Sequence, residues 1–299
     1  MKTLTIFTPT FNRAHLLPRL YDSLKNQTNQ DFVWMIINDG SSDNTDEVVQ
    51  GFVDDHILEI EYIKQKNQGM HGAHNTAYRN CKTVINTCID DDDMMPPRAV
   101  ELIVDQWNAL GQYQKKYSGI VALDAYMDGQ IIGSSFTTAS TTLEDFYLKG
   151  GYGDKKLIYR TEVMKQYPEY PLFEGEKYVG LGYKYLLADQ DYELATLNEV
   201  VCLVDYQPEG SSNNMWRQYY KNPKGFAFLR KEQMKVSKSK IRILKDAAHY
   251  VAHSLKANNW NFLAQSPRKI LTVLAIPFGF ALYLYTLYQN KKQGGLYHR

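Results

Sequence analysis

The chain of 299 residues (34.6 kDa) holds 44% hydrophobic residues, 19 Gly, 10 Pro and three Cys. That is enough for a large domain with its own core, and it excludes a disordered, collagen-like or disulfide-framework protein. The net charge of +1 conceals a division, because residues 1–216 carry 18 Lys and Arg against 31 Asp and Glu, whereas residues 217–299 carry 16 against two.

The first ten residues contain one Lys and pass directly into alternating apolar positions, unlike a secretory signal. With three cysteines (Cys81, Cys88, Cys202) that form no CxxC pair and read as small buried hydrophobes, a cytoplasmic setting is expected. Residues 4–8 read as the first strand, and Leu16, Leu17, Leu20 and Leu24 then recur at helical spacing. Residues 32–37 are a continuous apolar run typical of a strand covered on both faces. Ser41, Ser42 and Asp43 supply turn and cap chemistry before a helix through Val48, Val49 and Phe52. Residues 57–63 predict a third strand, a Gly-punctuated loop at 67–72 leads into a helix, and residues 84–89 predict a fourth strand. Val100, Ile103, Trp107 and Leu110 mark the following helix, and residues 120–123 a fifth strand. Asp128 and Gly129 read as a hairpin turn, and residues 157–159 and 200–204 as strands flanking an aromatic, Gly-rich insert at 170–185. The alternation predicts an α/β fold doubly wound on a mostly parallel sheet. Beyond Trp216 the sequence is helical and basic, with Ile241, Leu244, Ala248, Val251 and Leu255 expected on one buried face.

The densest chemical signal is Asp90, Asp91, Asp92 and Asp93, where the fourth strand ends. In open α/β sheets the ligand crevice lies beyond the carboxyl ends of the strands. Four adjacent carboxylates repel unless cations or donors neutralise them, and such a cluster suits a hard divalent ion that takes its other ligands from water and phosphate. The plain alternative is a solvated acidic turn capping the next helix. Residues 38–43 form a second acidic turn, in which Asp39 is placed to accept hydrogen bonds from a base or ribose, or the turn caps the next helix. After the first strand, Pro9 reads as fixing a turn, Phe11 offers a ring to a base, and Arg13 has the reach for a phosphate. His15, His56 and His249 lack metal-ligand spacing. Residues 211–214 with Trp216, Arg217 and Tyr219 read either as a segment closing over a ligand or as a capped helix start.

Four stretches taken in order, Pro9-Thr10-Phe11-Asn12-Arg13, residues 38–43, Asn67-Gln68-Gly69 with Ala73-His74-Asn75, and residues 89–97, resemble the inverting nucleotide-sugar glycosyltransferases of family 2. The resemblance is specific over the first 125 residues and implies a GT-A fold. It also implies metal-dependent transfer, with Mg²⁺ or Mn²⁺, of a sugar from a UDP-linked donor to a hydroxyl of a glycan or lipid-linked acceptor. Bacterial capsule, exopolysaccharide or cell-wall synthesis is the implied setting. By this resemblance Pro9, Phe11 and Asp39 form the nucleoside pocket with Arg13 beside it, and Asn67 and Gly69 join the donor site. Asp90 and Asp92 become the DxD pair that holds the metal, chiefly through Asp92, with Asp91 and Asp93 around it. The general base of such enzymes is a carboxylate in the second half, here Glu176 in residues 173–178, with Glu174 as the alternative and Asp189 and Asp191 as outsiders. Without the resemblance, that segment reads as an exposed loop with a local Glu-Lys pair. Two departures stand out: Phe11 where relatives often carry Tyr, and Met70 where they often carry a basic residue, with His71 its neighbouring substitute.

Residues 1–215 are thus expected to form the catalytic domain, 1–125 binding the donor and 126–215 the acceptor, with 216–299 a basic helical region. Residues 270–290 carry no charge. The apolar stretch 270–288 is near the roughly 20 residues of a spanning helix, but Pro277, Gly279 and three Tyr equally fit a helix lying on an anionic membrane. This favours the inner face of the cell membrane as the location and argues against a nucleic-acid partner. Two rival readings are a degenerate, membrane-associated scaffold and an Asp-dependent phosphoryl-transfer enzyme. The latter needs acids at the end of the first strand, where this chain has Thr8-Pro9-Thr10.

Overall fold

The computed structural model describes residues 2–207, 214–237 and 239–294. Their packing separates into two compact units, one drawn from Met1–Gln68, Gly72–Glu169 and Leu187–Tyr206, the other from Gly69–His71, Tyr170–Leu186 and Gln207–Arg299.

The first unit is built on one sheet of β1 (Leu4–Thr10), β2 (Phe32–Asn38), β3 (Ile60–Lys64), β4 (Ile85–Cys88), β5 (Tyr117–Tyr126), β6 (Ser140–Thr141), β7 (Lys155–Arg160) and β8 (Glu193–Val204). Their order is β3-β2-β1-β4-β7-β5-β8-β6. β1 runs parallel to β2 and β4, β2 to β3, and β5 to β8, while β7 is antiparallel to β4 and β5 and β6 to β8. The sheet is therefore mostly parallel. Helices α1 (Leu17–Lys25), α2 (Thr45–Asp54), α3 (Met70–Asn80) and α4 (Ala99–Ala109) follow β1 to β4 in turn. α1, α2 and α4 press Leu17, Leu20, Leu24, Val49, Phe52, Val100, Ile103 and Trp107 against Leu4, Ile6, Trp34 and Ile36 of the sheet. Burial on both faces explains why β2 reads as unbroken apolar sequence. The turn at Asp128 and Gly129 is present, Gly129 N–H donating to the Tyr126 carbonyl at 2.8 Å.

Two strands differ from the sequence reading. β1 continues through Pro9 to Thr10, so Pro9 is a buried strand residue opposite Ile37 and does not make a turn. The ladder with β4 ends at Phe7 and Cys88, so the missing N–H of Pro9 costs that pairing nothing. β8 begins at Glu193, seven residues before the predicted strand, and register shifts against β5 carry it past the polar Asn198 and Glu199.

Three helices, α5 (Leu143–Leu148), α6 (Thr161–Gln166) and α7 (Gly182–Asp191), lie between β6 and β8 in sequence, and the second unit contains α8 (Met215–Lys221), α9 (Pro223–Val236), α10 (Lys240–Lys256), α11 (Phe262–Gln265) and α12 (Lys269–Gly294). The aromatic insert belongs here: Tyr178 stacks on Phe226 at 4.8 Å, and a Cβ on Gly225 would stand 2.0 Å from the Tyr178 carbonyl. Charge changes sign at residue 216, whereas packing already joins residues 170–186 to the C-terminal helices. The buried face of α10 also differs from the expected one. Ile243, Ala247, Tyr250 and Val251 face inward, whereas Ile241 is 84% exposed. Packing on α9 and on α12 sets that face, and buried Asp246 pairs with Arg230 at 2.9 Å.

Candidate active site

Parallel pairing of β1 with β2 and β4 brings three loops to the same carboxyl edge. Asp39 N–H donates to the Thr10 carbonyl at 2.9 Å and Ile89 N–H to the Phe7 carbonyl at 3.1 Å, so the loops leave the sheet side by side. The first two are laced together. Asn12, in the left-handed region at φ 55°, donates its N–H to Ser41 Oγ and accepts from Ser42 N–H, while Asp43 accepts from Ala14 N–H and Thr45 N–H. Asp43 thus closes an Asx turn just ahead of α2, whose N-cap is Asn44 and carries no side-chain cap bond, so the turn leads into the helix without capping it. Gly40 has φ 83°, and a Cβ there would crowd the Asn67 backbone N at 2.9 Å. That turn leaves Asp39 only 4% exposed, its Oδ1 accepting from Gln65 Nε2 at 2.7 Å and Gln68 N–H at 2.8 Å. Phe11 beside it is 45% exposed. Asn67 is half-buried, and Gly69, in the second unit, has φ 82° with its Cα face against the Lys177 carbonyl.

The acidic run alternates. Asp91 is buried and accepts from Thr10 Oγ1 at 2.8 Å and Arg13 Nη1 at 2.5 Å. Asp93 is buried, accepts from Asp205 N–H at 3.2 Å and the Cys202 thiol at 3.6 Å, and lies 3.9 Å from Lys156 Nζ. Asp90 and Asp92 are half-buried, Asp92 meeting Arg13 Nη2 at 2.8 Å and Asp90 the Cys88 thiol at 3.5 Å. The main chain is held as well, because Arg19 of α1 donates to the Asp92 carbonyl and pairs with Asp205 at 2.8 Å.

Burial governs the charges. It pushes Asp91 and Asp93 up to about 7, with Arg13 and Lys156 opposing it respectively, and Asp124 up to about 6 against Lys156. Burial likewise works against the Lys156 ammonium, but Asp124, Asp93 and Asp90 outweigh it and hold that group charged. The solvated-cap alternative does not describe this run, since two of its four carboxylates are interior groups tied to cations.

Among the described residues no three His, Cys, Asp or Glu side chains converge as a complete metal cage. Asp90 and Asp92 offer two hard oxygen donors one residue apart, a set that fits Mg²⁺ or Mn²⁺ completed by water and phosphate and does not suit a tetrahedral zinc site.

The structure thus gathers Phe11, Arg13, Asp39, Asp90, Asp91 and Asp92 at one sheet edge, and corrects two details. Pro9 lies within β1, and Arg13 is engaged by Asp91 and Asp92. Residues not singled out in the sequence complete the surroundings: Thr10, Arg19, Gln65, Lys156 and Asp205. Thr10 stood inside a recognised motif. Arg19 and Lys156 carried no signal, because a cation on a helix or at a strand start ordinarily reads as surface.

In the second unit Glu176 is buried, at 9% exposure, and makes no exposed Glu-Lys pair. Its two oxygens accept one backbone N–H each, from Lys224 and Gly225 at 2.9 Å, at the N-terminus of α9. Burial raises it above the ordinary carboxylate range, the Gly225 and Lys224 N–H groups opposing. Glu174 is exposed. In the first unit Asp189 accepts from Glu144 N–H and is pushed by burial up to about 6, and Asp191 accepts from the Tyr167 hydroxyl. Residues 211–213 lie outside the described residues, whereas Trp216, Arg217 and Tyr219 lie on α8.

His71, beside exposed Met70, is buried and accepts from Val179 N–H at 3.3 Å. Burial pushes His71 down to about 4, with Lys177 adding to it, and His249 to about 4, with Arg230 and Lys245 adding. His253 is pushed down further by burial and by His249. Because these imidazoles bind protons less readily folded than unfolded, their stabilisation is complete above pH 6.5 and is lost as pH falls toward 4. Asp246 and Glu176, both raised by burial, act in the opposite sense. We expect the protection factors of the α10 amides, taken relative to the intrinsic exchange rate at each pH, to fall over that range, reflecting a loss on the order of 1–3 kcal/mol. Unchanged protection at pH 4.5 would show that the three imidazoles are not buried neutral.

A mostly parallel, doubly wound sheet with a pair of half-buried acids at the end of β4, next to an exposed ring and a buried acid at the ends of β1 and β2, defines a GT-A domain. The chain belongs to Glycosyl transferase family 2, whose sequence model matches residues 5–164. It is 36% identical over 103 residues to the chondroitin synthase of Escherichia coli, an overlap of 34% of this chain and 15% of that protein. The chain therefore spans only a small part of that curated relative. Staphylococcus aureus TarS 1–349 in complex with UDP-GlcNAc has a similar fold, with TM-score 0.63 at 16% identity over 98% of this chain and 92% of the other. So has the mannosyltransferase PcManGT from Pyrobaculum calidifontis in complex with GDP-Man and Mn²⁺, with TM-score 0.55 at 18% identity over 97% and 83%.

Proposed function

We propose that the protein is a metal-dependent inverting glycosyltransferase that moves a sugar from a UDP-linked donor to a hydroxyl of a glycan or lipid-linked acceptor in bacterial surface-polysaccharide synthesis. The observation that carries this reading is the alternation at the end of β4, where Asp91 and Asp93 are locked inward and Asp90 and Asp92 remain as the pair to hold a cation. Family membership and the TarS complex with UDP-GlcNAc support a UDP-sugar donor, and the PcManGT complex with Mn²⁺ supports a divalent ion.

Phe11 stacks on the base and Asp39, fixed by Gln65 and Gln68, accepts hydrogen bonds from the nucleoside. Asn67 and Gly69 complete the donor contacts. Asp92 and Asp90 hold Mg²⁺ or Mn²⁺, which when bound supplies the charge that stabilises a departing diphosphate. Thr10, Arg13 and Lys156 keep Asp91 and Asp93 neutralised, so that the negative field of the run does not repel the donor. Transfer is a single displacement: the acceptor oxygen forms a bond to the anomeric carbon, the bond to the diphosphate oxygen breaks, and the hydroxyl proton passes to a carboxylate base. That base is Glu176, from the acidic motif, and its raised proton affinity suits the task. The basic, apolar C-terminal region brings the protein to the cytoplasmic membrane face, where a lipid-linked acceptor would lie.

Titration calorimetry with UDP, GDP, CDP and dTDP, each with and without Mn²⁺, tests the donor half of this reading. UDP is expected to bind, and only with metal. Failure of every nucleotide to bind would favour the scaffold reading instead.

A further inference from the structure

α12 is patterned inside out for a helix of a water-soluble unit. Its fully buried residues are small or hydroxylated, Thr272, Ala275, Gly279 and Thr286, with Leu271 half-buried against the same core. A Cβ on Gly279 would stand 2.5 Å from Val251 Cβ and 2.7 Å from the Ala248 carbonyl, so α12 lies close along α10. Most of the large apolar residues face outward. Ile270 is 80% exposed, Phe278 65% and Tyr288 61%, with Leu274, Phe280 and Leu284 between them. This stripe runs about 27 Å along the helix, from Ile270 to Tyr288, between Lys269 and the pair Lys291 and Lys292. A continuous apolar strip of that length in water marks a contact surface.

Two features choose the partner. Residues 217–299 carry 16 Lys and Arg against two acids, which favours an anionic surface and sets a second copy of the same basic region against itself. The contact with α10 argues against a spanning arrangement. α10 bears Lys240, Arg242, Lys245 and Lys256 and shares the Arg230–Asp246 ion pair, so inserting α12 would carry those charges into hydrocarbon or strip α12 of its partner.

We propose that α12 lies in the plane of an anionic bilayer, its outer stripe sunk to the headgroup and acyl boundary, its terminal lysines at the phosphates and its small-residue face kept on α10. This specifies the membrane contact of the proposed function and rests on that part of it. Trp260, 75% exposed nine residues before the helix, suits the same interface.

Sedimentation of the full chain with vesicles of phosphatidylcholine, alone or mixed with phosphatidylglycerol, tests the contact. Binding is expected to be much tighter on the anionic vesicles and to weaken with salt. Leu274→Glu and Phe278→Glu, at positions exposed to water in the free protein, are each expected to weaken binding about tenfold or more, with unchanged circular dichroism. Fluorophores on single cysteines at Ile270 and Tyr288 report the orientation. Quenching of both from the outer side is the expected result. Quenching of one only from the lumen would mean a spanning helix, overturning the in-plane arrangement and leaving membrane contact intact. No binding to either vesicle, or self-association abolished by Phe278→Glu, would overturn the membrane contact itself, and UDP binding would still decide the donor reading.

Discussion

Asp92→Ala is expected to abolish metal-dependent UDP binding and to lower kcat by about a thousandfold, equivalent to several kcal/mol of lost stabilisation of the leaving diphosphate. The fold should survive. Asp92 is the half-buried member of the run that faces Arg13, and Arg13 retains Asp91 as a partner at 2.5 Å when Asp92 is removed. Taking one charge from four adjacent carboxylates also relieves repulsion. Asp91→Ala should behave differently, because Asp91 is itself buried and holds both Thr10 and Arg13. Its main loss should be in thermal stability, about 1–3 kcal/mol from the groups left unpaired. Turnover and melting temperature measured for both variants make the comparison. An Asp92→Ala protein with turnover within tenfold of the parent would remove Asp92 from the cation site.

Glu176 carries the second large effect, and here two roles must be separated. As general base its loss should lower kcat by about 10²–10⁴. As the acceptor of Lys224 and Gly225 N–H groups it also anchors the start of α9, and Glu176→Ala should cost about 1–3 kcal/mol of stability. Each carboxylate oxygen has a second lone pair, so one N–H on each leaves capacity for an acceptor hydroxyl. Glu176→Gln keeps one oxygen for α9 and removes the basicity. We expect it to fold, to bind UDP and metal as the parent does, and to lose turnover. Glu174→Gln, at an exposed position, should change turnover by no more than about twofold. A Glu176→Gln protein that keeps more than a tenth of parental turnover while melting earlier would leave Glu176 as an anchor alone and move the base elsewhere.

Much of this was readable without coordinates. The period-two and period-3.6 patterns of the first 125 residues are local, and so is the chemistry of the turns that end the strands. They placed β1 to β5 and α1 to α4 within a few residues and set Phe11, Asp39 and the Asp90 to Asp93 run at one sheet edge, since parallel strands share that edge. Local reading failed where a residue's role depends on a neighbour distant in sequence. Pro9 suggested a turn, but it is held in a strand because β2 continues beside it to Asn38.

The sequence by itself determined the fold class, the strand-end position of the acidic run and the family, because each follows from short-range periodicity or from a contiguous motif. Only the tertiary structure decided which acids of that run are interior, that Arg13 and Lys156 hold them, that Glu176 anchors α9, and that α12 turns most of its large apolar residues outward. Burial is not a property of a residue but of what packs against it. In each of these cases the partner lies in another element, so no window of sequence contains both.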